Sequence, residues 1–294
     1  MNSIYLKLTL AIIIQSLTPI FISIILNSQN SLTIAFIRIF FTFFVLLFII
    51  IITYNFNLLK DFKISYAIIG FFEPGINSLL YVYAQKFINT TNTFLIISIY
   101  PFINIYLEKL VFNSKLNSYN ILFSLISFSG IAFYLILSDS ELSYSIFGNL
   151  LLLFVIINTS IYHVFTKKYL KLNSSTLKFT FFQFSGSFLA ISIIFLFNYK
   201  NNYVFYFLPL KDSLILFYLC ISMIIPFFLY NDTIKKTNLH LISLNMTLVI
   251  PLGFLWSYLI LDEKLELYKL FSACLVILGI VLSNKFTNLK DKNE

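Results

Sequence analysis

The sequence predicts an all-α polytopic membrane protein with ten transmembrane helices in two inverted five-helix repeats. Three observations carry this reading: a composition foreign to water-soluble domains, ten apolar runs with alternating basic loops, and a segment that recurs at a fixed offset. Of 294 residues, 59% are apolar, 19% aromatic and 11% charged, against roughly 25% charged and 45–50% apolar in soluble domains. A mean hydropathy of +0.90 is too high for one anchor on a soluble body, so nearly the whole chain is expected in hydrocarbon. That leaves no room for a soluble catalytic domain.

Apolar runs fall near residues 6–26, 32–54, 64–85, 92–112, 118–138, 146–166, 176–198, 213–234, 239–261 and 266–284. The first has a lone Lys7 and no small-residue cleavage site, so it reads as a retained helix. The second contains Arg38. The third holds "FFEPGIN", with Glu73, Pro74 and Gly75 near its centre, and Asn77 and Tyr81 continue a polar stripe from Glu73 at i+4 and i+8. The fourth repeats that spacing with Tyr100, Asn104 and Glu108, beside Pro101. Asn158 and Tyr162 mark the sixth run, Pro226 the eighth, Asn245 and Pro251 the ninth. Continuous apolar runs without alternation exclude a membrane β-barrel.

The net charge of +8 belongs to topology and not to nucleic acid, because the lysines sit in short segments between the runs. Lys7, Lys60, Lys63, Lys115, Lys167, Lys168, Lys171, Lys235, Lys236, Lys285, Lys290 and Lys292 fall on one side; Lys86, Lys200, Lys211 and Lys264 fall on the other. Both termini are therefore expected in the cytoplasm. Cys220 and Cys274 lie within apolar runs and read as buried small hydrophobes, with no disulfide or metal pair. Nothing in the sequence sets an oligomeric state.

"KLNSYNILFSLISFSGI" (Lys115 to Ile131) matches "KLELYKLFSACLVILGI" (Lys264 to Ile280) at Lys-Leu, Tyr and Gly-Ile. Tyr100-Pro101 aligns with Ile250-Pro251, Lys86 with Lys236, and Arg38 more faintly with Gln183. Repeats are placed at 1–141 and 142–285, with a tail at 286–294. An odd number of helices per repeat inverts the second copy, the architecture of alternating-access transporters with sites near the midplane.

With these residues the chain resembles the EamA-type members of the drug/metabolite transporter superfamily. The resemblance rests on the two five-helix repeats, the Arg in "FIRIFFTFF", and the Pro about twelve residues before an acidic turn in "IPLGFLWSYLILDEKL", followed by a helix with "GI". In the first repeat Asn113, in "VFNSKL", replaces the acidic residue. The resemblance implies an inner-membrane carrier of small metabolites that works without ATP hydrolysis or a cofactor; it does not name the substrate.

A carboxylate near the bilayer centre costs roughly 2.5–3.5 kcal/mol on insertion scales, so Glu73 needs a compensating role. It either couples protons or binds substrate in a central cavity, or it is a neutral, protonated Glu bonded to a neighbouring helix or a carboxylate permanently paired with Arg38. Pro74 and Gly75 are expected to kink the third helix and free carbonyls beside the carboxylate. Pro19, Pro101, Pro226 and Pro251 are read as further bends within spans. The substrate-binding set is Glu73, Asn77, Tyr81, Tyr100, Asn104, Asn158, Tyr162 and Asn245, opposed by an apolar wall at Ile250, Phe254 and Tyr258 that suits an amphipathic molecule. Arg38, Pro74, Gly75, Pro101 and Pro251 are structural or coupling residues. Glu108 is placed at the headgroups, and His163 and His240 at span ends. No catalytic or metal set stands out; the seven glycines form no phosphate cradle. An intramembrane enzyme or a channel-like protein is the alternative, separated from a carrier by counterflow-stimulated uptake. The partners expected are a small solute, the lipid bilayer and a proton or counter-transported solute.

The charge count makes one direct prediction. Reporter fusions at Ser140 and Lys292 should report opposite sides of the membrane, and the same side for both would overturn the assignment.

Overall fold

The computed structural model describes residues 2–54, 62–88, 90–113, 118–137, 145–170, 174–198, 209–262 and 266–290. Among them every regular element is helical. The repeat boundary near 141, the loop 138–144, and Lys60, Lys115, Lys171, Lys200, Lys264 and Lys292 lie outside the described residues.

The first half begins with α1 (Asn2–Ser16) and α2 (Thr18–Ile25), then α3 (Ser31–Tyr54). A third rod joins α4 (Ile64–Gly70), a π-helical turn (Phe71–Ile76) and α5 (Asn77–Ala84); α6 (Thr90–Ile97), α7 (Tyr100–Phe112) and α8 (Ser118–Leu137) follow. The second half contains α9 (Ile146–Tyr169), α10 (Thr176–Phe197), α11 (Leu210–Ile234), α12 (Leu239–Met246), α13 (Val249–Leu261) and α14 (Leu267–Lys290). Eight rods are long and apolar enough to cross a membrane, and Ser118–Phe133 is a shorter apolar helix.

The prolines divide into two kinds. Pro19 and Pro101 occupy the first turns of α2 and α7, and Pro251 is the third residue of α13. There the missing N–H has no carbonyl partner to lose. These three mark restarts after short turns at Leu17, Ser98–Ile99 and Thr247–Leu248, which corrects the reading of them as bends inside continuous helices. Pro74 and Pro226 do lie inside helical rods.

Exchanging the two halves maps the main packed pairs onto one another. α1 packs on α11 as α9 packs on α5, α3 packs on α10, and α8 packs on α14. The α8/α14 crossing shows why Gly-Ile recurs in the sequence. A Cβ on Gly130 would stand 2.7 Å from Ser272 O, and one on Gly279 would stand 2.7 Å from Phe123 O. The offset of 149 that relates Gly130 to Gly279 also relates Phe123 to Ser272, so the two contacts are one contact seen from each helix. Without a hydrophobic drive between helices in lipid, close backbone approach at small residues supplies the packing.

The same offset joins Asn113 to Asp262. Both follow thirteen-residue helices and adopt the left-handed conformation, with φ of 50° and 54°. Asn and Asp tolerate this region better than other side chains. The position therefore requires a residue that can end a helix in left-handed backbone, which Asn113 does without an acidic group.

The Gly130/Gly279 equivalence is testable. Gly130→Leu and Gly279→Leu should each destabilise the detergent-solubilised protein by about 1–3 kcal/mol through overpacking, seen as similar drops in melting temperature. A large drop for one with none for the other would break the two-fold relation.

Candidate functional site

A cavity of about 150 Å³ lies between the halves. The first half contributes Gln15, Thr18, Arg38, Glu73, Asn77, Ser78, Tyr81 and Tyr100; the second contributes Val155, Ile156, Thr159, Tyr162, His163, Met223, Phe227, Tyr230, Met246 and Val249.

The break in the third rod places Glu73 there. Glu73 is extended (φ −132°, ψ 115°) within the π-helical turn, and the Glu73–Pro74 peptide is cis. The disturbed backbone takes donors from two neighbouring helices. Ser187 Oγ donates to Gly70 O (2.7 Å), Gln183 Nε2 to Glu73 O (3.0 Å) and Asn158 Nδ2 to Phe72 O (3.4 Å). The predicted kink is present, but these carbonyls are engaged by protein and do not form the polar patch expected beside the carboxylate. Hydrocarbon leaves little alternative, since backbone groups there must be satisfied internally.

The Glu73 carboxylate is buried. Thr159 Oγ1 lies 3.5 Å from Oε2, and Asn77 Nδ2 donates to Thr159 Oγ1 (2.9 Å) and Val155 O (3.2 Å). Arg38 lines the same cavity and makes no ion pair within 4 Å of Glu73; its Nε donates to Leu219 O at 3.4 Å. The pairing of Arg38 with Glu73 is thus not formed. Arg38 on α3 reaches a carbonyl of α11, as Gln183 on α10 reaches the carbonyl of Glu73. The faint alignment of Arg38 with Gln183 corresponds to matching bonds across the two halves.

Tyr100 and Tyr162 both reach the cavity. The Tyr100 hydroxyl is hydrogen-bonded to His163 Nδ1 (2.6 Å), and Tyr162 donates to Asn231 Oδ1. Asn231 Nδ2 continues to Thr180 Oγ1 and Gln183 Oε1, each at 3.0 Å, so Tyr162 is tied to the residue that bonds the Glu73 carbonyl. His163 is buried, which corrects its placement at a span end. His240 is buried as well, with Nε2 3.1 Å from both Ser124 Oγ and Asn120 O.

Of the predicted set, Glu73, Asn77, Tyr81, Tyr100 and Tyr162 converge on the cavity, together with Arg38 and Pro74. Asn104 is buried outside the lining. Asn158 points to the Phe72 carbonyl, and its neighbour Thr159 takes the cavity position. Asn245 exchanges amide hydrogen bonds with Asn284 (3.0 and 3.1 Å), tying α12 to α14. The apolar wall is built from Met223, Phe227, Met246 and Val249; Ile250 and Phe254 belong to the packed core and Tyr258 is exposed. Gln15, Thr18, Ser78, Thr159 and Tyr230 of the lining escaped sequence reasoning, and His163 was read only as a span-end residue. Gln15 alone had a signal, an amide between Ile14 and Ser16 in an apolar run, and it accepts from Tyr230 OH (2.8 Å).

Two ionic clusters gather at one end of the bundle, and both join the halves. Asp232 of α11 pairs with Lys7 of α1, Lys235 (3.4 Å) and Lys236 (3.0 Å), and accepts from Thr176 of α10. Glu108 of α7 pairs with Lys167 of α9 (2.6 Å) and accepts from the Leu239 and His240 backbone N–H groups (3.4 Å each). Glu108 therefore sits on the N-terminus of α12, where an anion is favoured, which corrects its placement at the headgroups. Cys220 is buried, but Cys274 lies on an exposed face, contrary to expectation.

A solved crystal structure superposes on the chain with a TM-score of 0.79 at 12% identity, covering 97% of each chain, which establishes the fold alone. No curated protein matches the sequence. The model of the EamA-like transporter family matches twice, over residues 2–136 and 146–285. Two matches in tandem over nearly the entire sequence agree with the exchangeable halves and the cavity between them: the chain belongs to the EamA-like transporter family, within the drug/metabolite transporter superfamily.

Proposed function

We propose that the chain is a secondary transporter that moves a small amphipathic metabolite, such as an amino acid or nucleoside derivative, across the inner membrane by alternating access. In this reading all ten rods cross the bilayer, α6 and α7 forming the fourth, and both termini face the cytoplasm. The observation that carries it is the cavity between the halves, which holds a buried Glu73, with no cation within 4 Å among the described residues, at a broken helix. A midplane site at discontinuous helices between inverted repeats is what a rocking carrier needs. Glu73 is the coupling or substrate carboxylate, Asn77 and Thr159 position it, and Tyr100 and Tyr162 complete the polar wall. The Asp232 and Glu108 clusters act as cytoplasmic ties that close the inner side.

Proteoliposome assays test the role of Glu73. If it couples protons, Glu73→Gln keeps counterflow exchange but loses accumulation driven by a pH gradient; if it binds a cationic group, exchange is lost too. Wild-type behaviour in both assays would make Glu73 a structural residue.

The ties make a second prediction. In a background with Cys220 and Cys274 replaced, a cysteine at Val155 in the cavity should be labelled several-fold faster by an impermeant maleimide from the cytoplasmic side when Asp232→Asn is added, because weakening one closed state shifts the population toward the other. Unchanged labelling would remove Asp232 from the gate.

A further inference from the structure

We propose that the seam between α7 and α9 binds water at Asn104 and Thr166 and carries protons between the cavity and the Glu108 cluster; this rests on the reading of Glu73 as the proton-coupling residue. α7 buries one polar stripe, Tyr100, Asn104 and Glu108, at spacings of four. Both ends of the stripe reach α9. The Tyr100 hydroxyl is bonded to His163 Nδ1 (2.6 Å), and Glu108 accepts from Lys167 Nζ (2.6 Å). Asn104 therefore lies on the face that meets α9, midway between two bonded levels. It is fully buried, and neither its Oδ1 nor its Nδ2 has a hydrogen-bond partner among the described residues. On α9, Thr166 stands between His163 and Lys167 in sequence; it is fully buried too, and its Oγ1 has no partner among the described residues.

Water is the ligand these atoms fit. A buried amide or hydroxyl without a hydrogen bond is costly, and an ordered water with about two to four polar partners ordinarily supplies it. The spacing agrees. Successive levels of α7 are about 6 Å apart along the axis, and one water bridging two groups by bonds of ordinary length spans about 5.5 Å. One water on each side of Asn104 thus connects Tyr100 and His163, at the cavity, with Glu108. A proton arriving at the Glu108 end joins the first water, which passes another of its protons to the next, and the last reaches the Glu73 carboxylate through the cavity and makes it a carboxylic acid. One proton is taken up for each that enters; Asn104 and Thr166 hold the waters in line. Tyr162 of α9 and Tyr230 of α11 border the cavity end of this path, and His240 of α12 borders Glu108. Tyr81 also lines the cavity and stands within a turn of Ala84, the end of the third rod away from Glu108, so the seam is the remaining barrier to a proton.

The test reconstitutes the purified full chain in vesicles loaded with a pH-sensitive dye and potassium, and valinomycin sets an inside-negative potential that draws protons in with no solute added. Wild-type vesicles should acidify faster than protein-free ones. Asn104→Leu and Thr166→Val should each slow this protein-dependent rate about tenfold, the effect of removing one buried hydrogen-bonding group, and Glu73→Gln should abolish it. Thr166→Ser, which keeps the hydroxyl, should retain it. Ser127→Ala, which takes a buried hydroxyl from the contact of α8 with Thr247, should leave it unchanged. A monodisperse elution profile checks folding; Thr166→Val is isosteric and decides alone where Asn104→Leu does not fold. Wild-type acidification no faster than in protein-free vesicles, wild-type rates in Thr166→Val, in folded Asn104→Leu or in Glu73→Gln, or an equal loss in Ser127→Ala overturns the route. Loss in Glu73→Gln alone removes the route and keeps Glu73 as the proton group. The carrier reading is decided apart from these outcomes, by counterflow.

Discussion

Pro74 supplies no N–H to the helical ladder, and around the extended Glu73 before it the carbonyls of Gly70, Phe72 and Glu73 turn to neighbouring helices. In hydrocarbon those carbonyls have no water to turn to. Ser187 and Gln183 of α10 and Asn158 of α9 answer them, which fixes how far α10 stands from the break and how it is rotated. The approach is close: a Cβ on Gly186 would lie 1.9 Å from Ala67 O, and one on Gly70 would lie 1.7 Å from Gln183 O. Once α10 is seated there, Gln183 also holds Asn231, and Asn231 holds Tyr162 at the cavity. The polar side of the site is thus a consequence of satisfying one broken helix.

The two halves solve the same packing problem with different residues, and the lining of the cavity differs as a result. Arg38 and Gln183 make corresponding bonds to backbone carbonyls, yet only Arg38 brings a formal charge to the cavity. The break at Pro74 has no equal in α11, whose Pro226 lies within a continuous helix. The charged groups of the lining therefore lie on the first half, while the second presents Met, Phe, Val and Ile side chains beside the Thr159, Tyr162 and His163 face of α9 and Tyr230 of α11. For the carrier proposed above, a two-fold scaffold with an asymmetric lining would let the cavity distinguish the ends of a ligand while the scaffold keeps two related states.

Much of this was legible because the membrane permits so little. Helix is the only continuous option for these runs, their length is set by the bilayer, and the Gly-Ile and Pro repeats sit where a helix crossing and helix restarts require them. Glu73 stood out by cost alone. What could not be read was rotation and partnership. Asn158 and Thr159 differ by one residue, about 100° around a helix with apolar residues on every side, and only the Phe72 carbonyl decides which turns inward. Asn245 finds Asn284 from a distant segment, and Glu108 finds Lys167 and the start of α12. A polar residue in a span announces that it has a partner, but not whether that partner is protein or ligand.

Lysines near the ends of the rods hold the two halves together, and the strength of that hold has an upper limit. Lys7 and Lys236 are 37% and 38% exposed at their side chains, so water screens their pairs with Asp232 and each contributes little alone. Lys235, 8% exposed, and the Glu108–Lys167 pair, 12% and 24% exposed, are better shielded. Glu108 adds the backbone amides of α12, which remain fixed to their helix and lose little freedom on binding. In the carrier proposed above, a closure that must release in every cycle is best made of several weak contacts meeting a few firm ones: enough to favour one state, too little to trap it. With these contacts concentrated at one end, away from the charged residues of the cavity, such ties would break without disturbing the side chains that hold Glu73 in place.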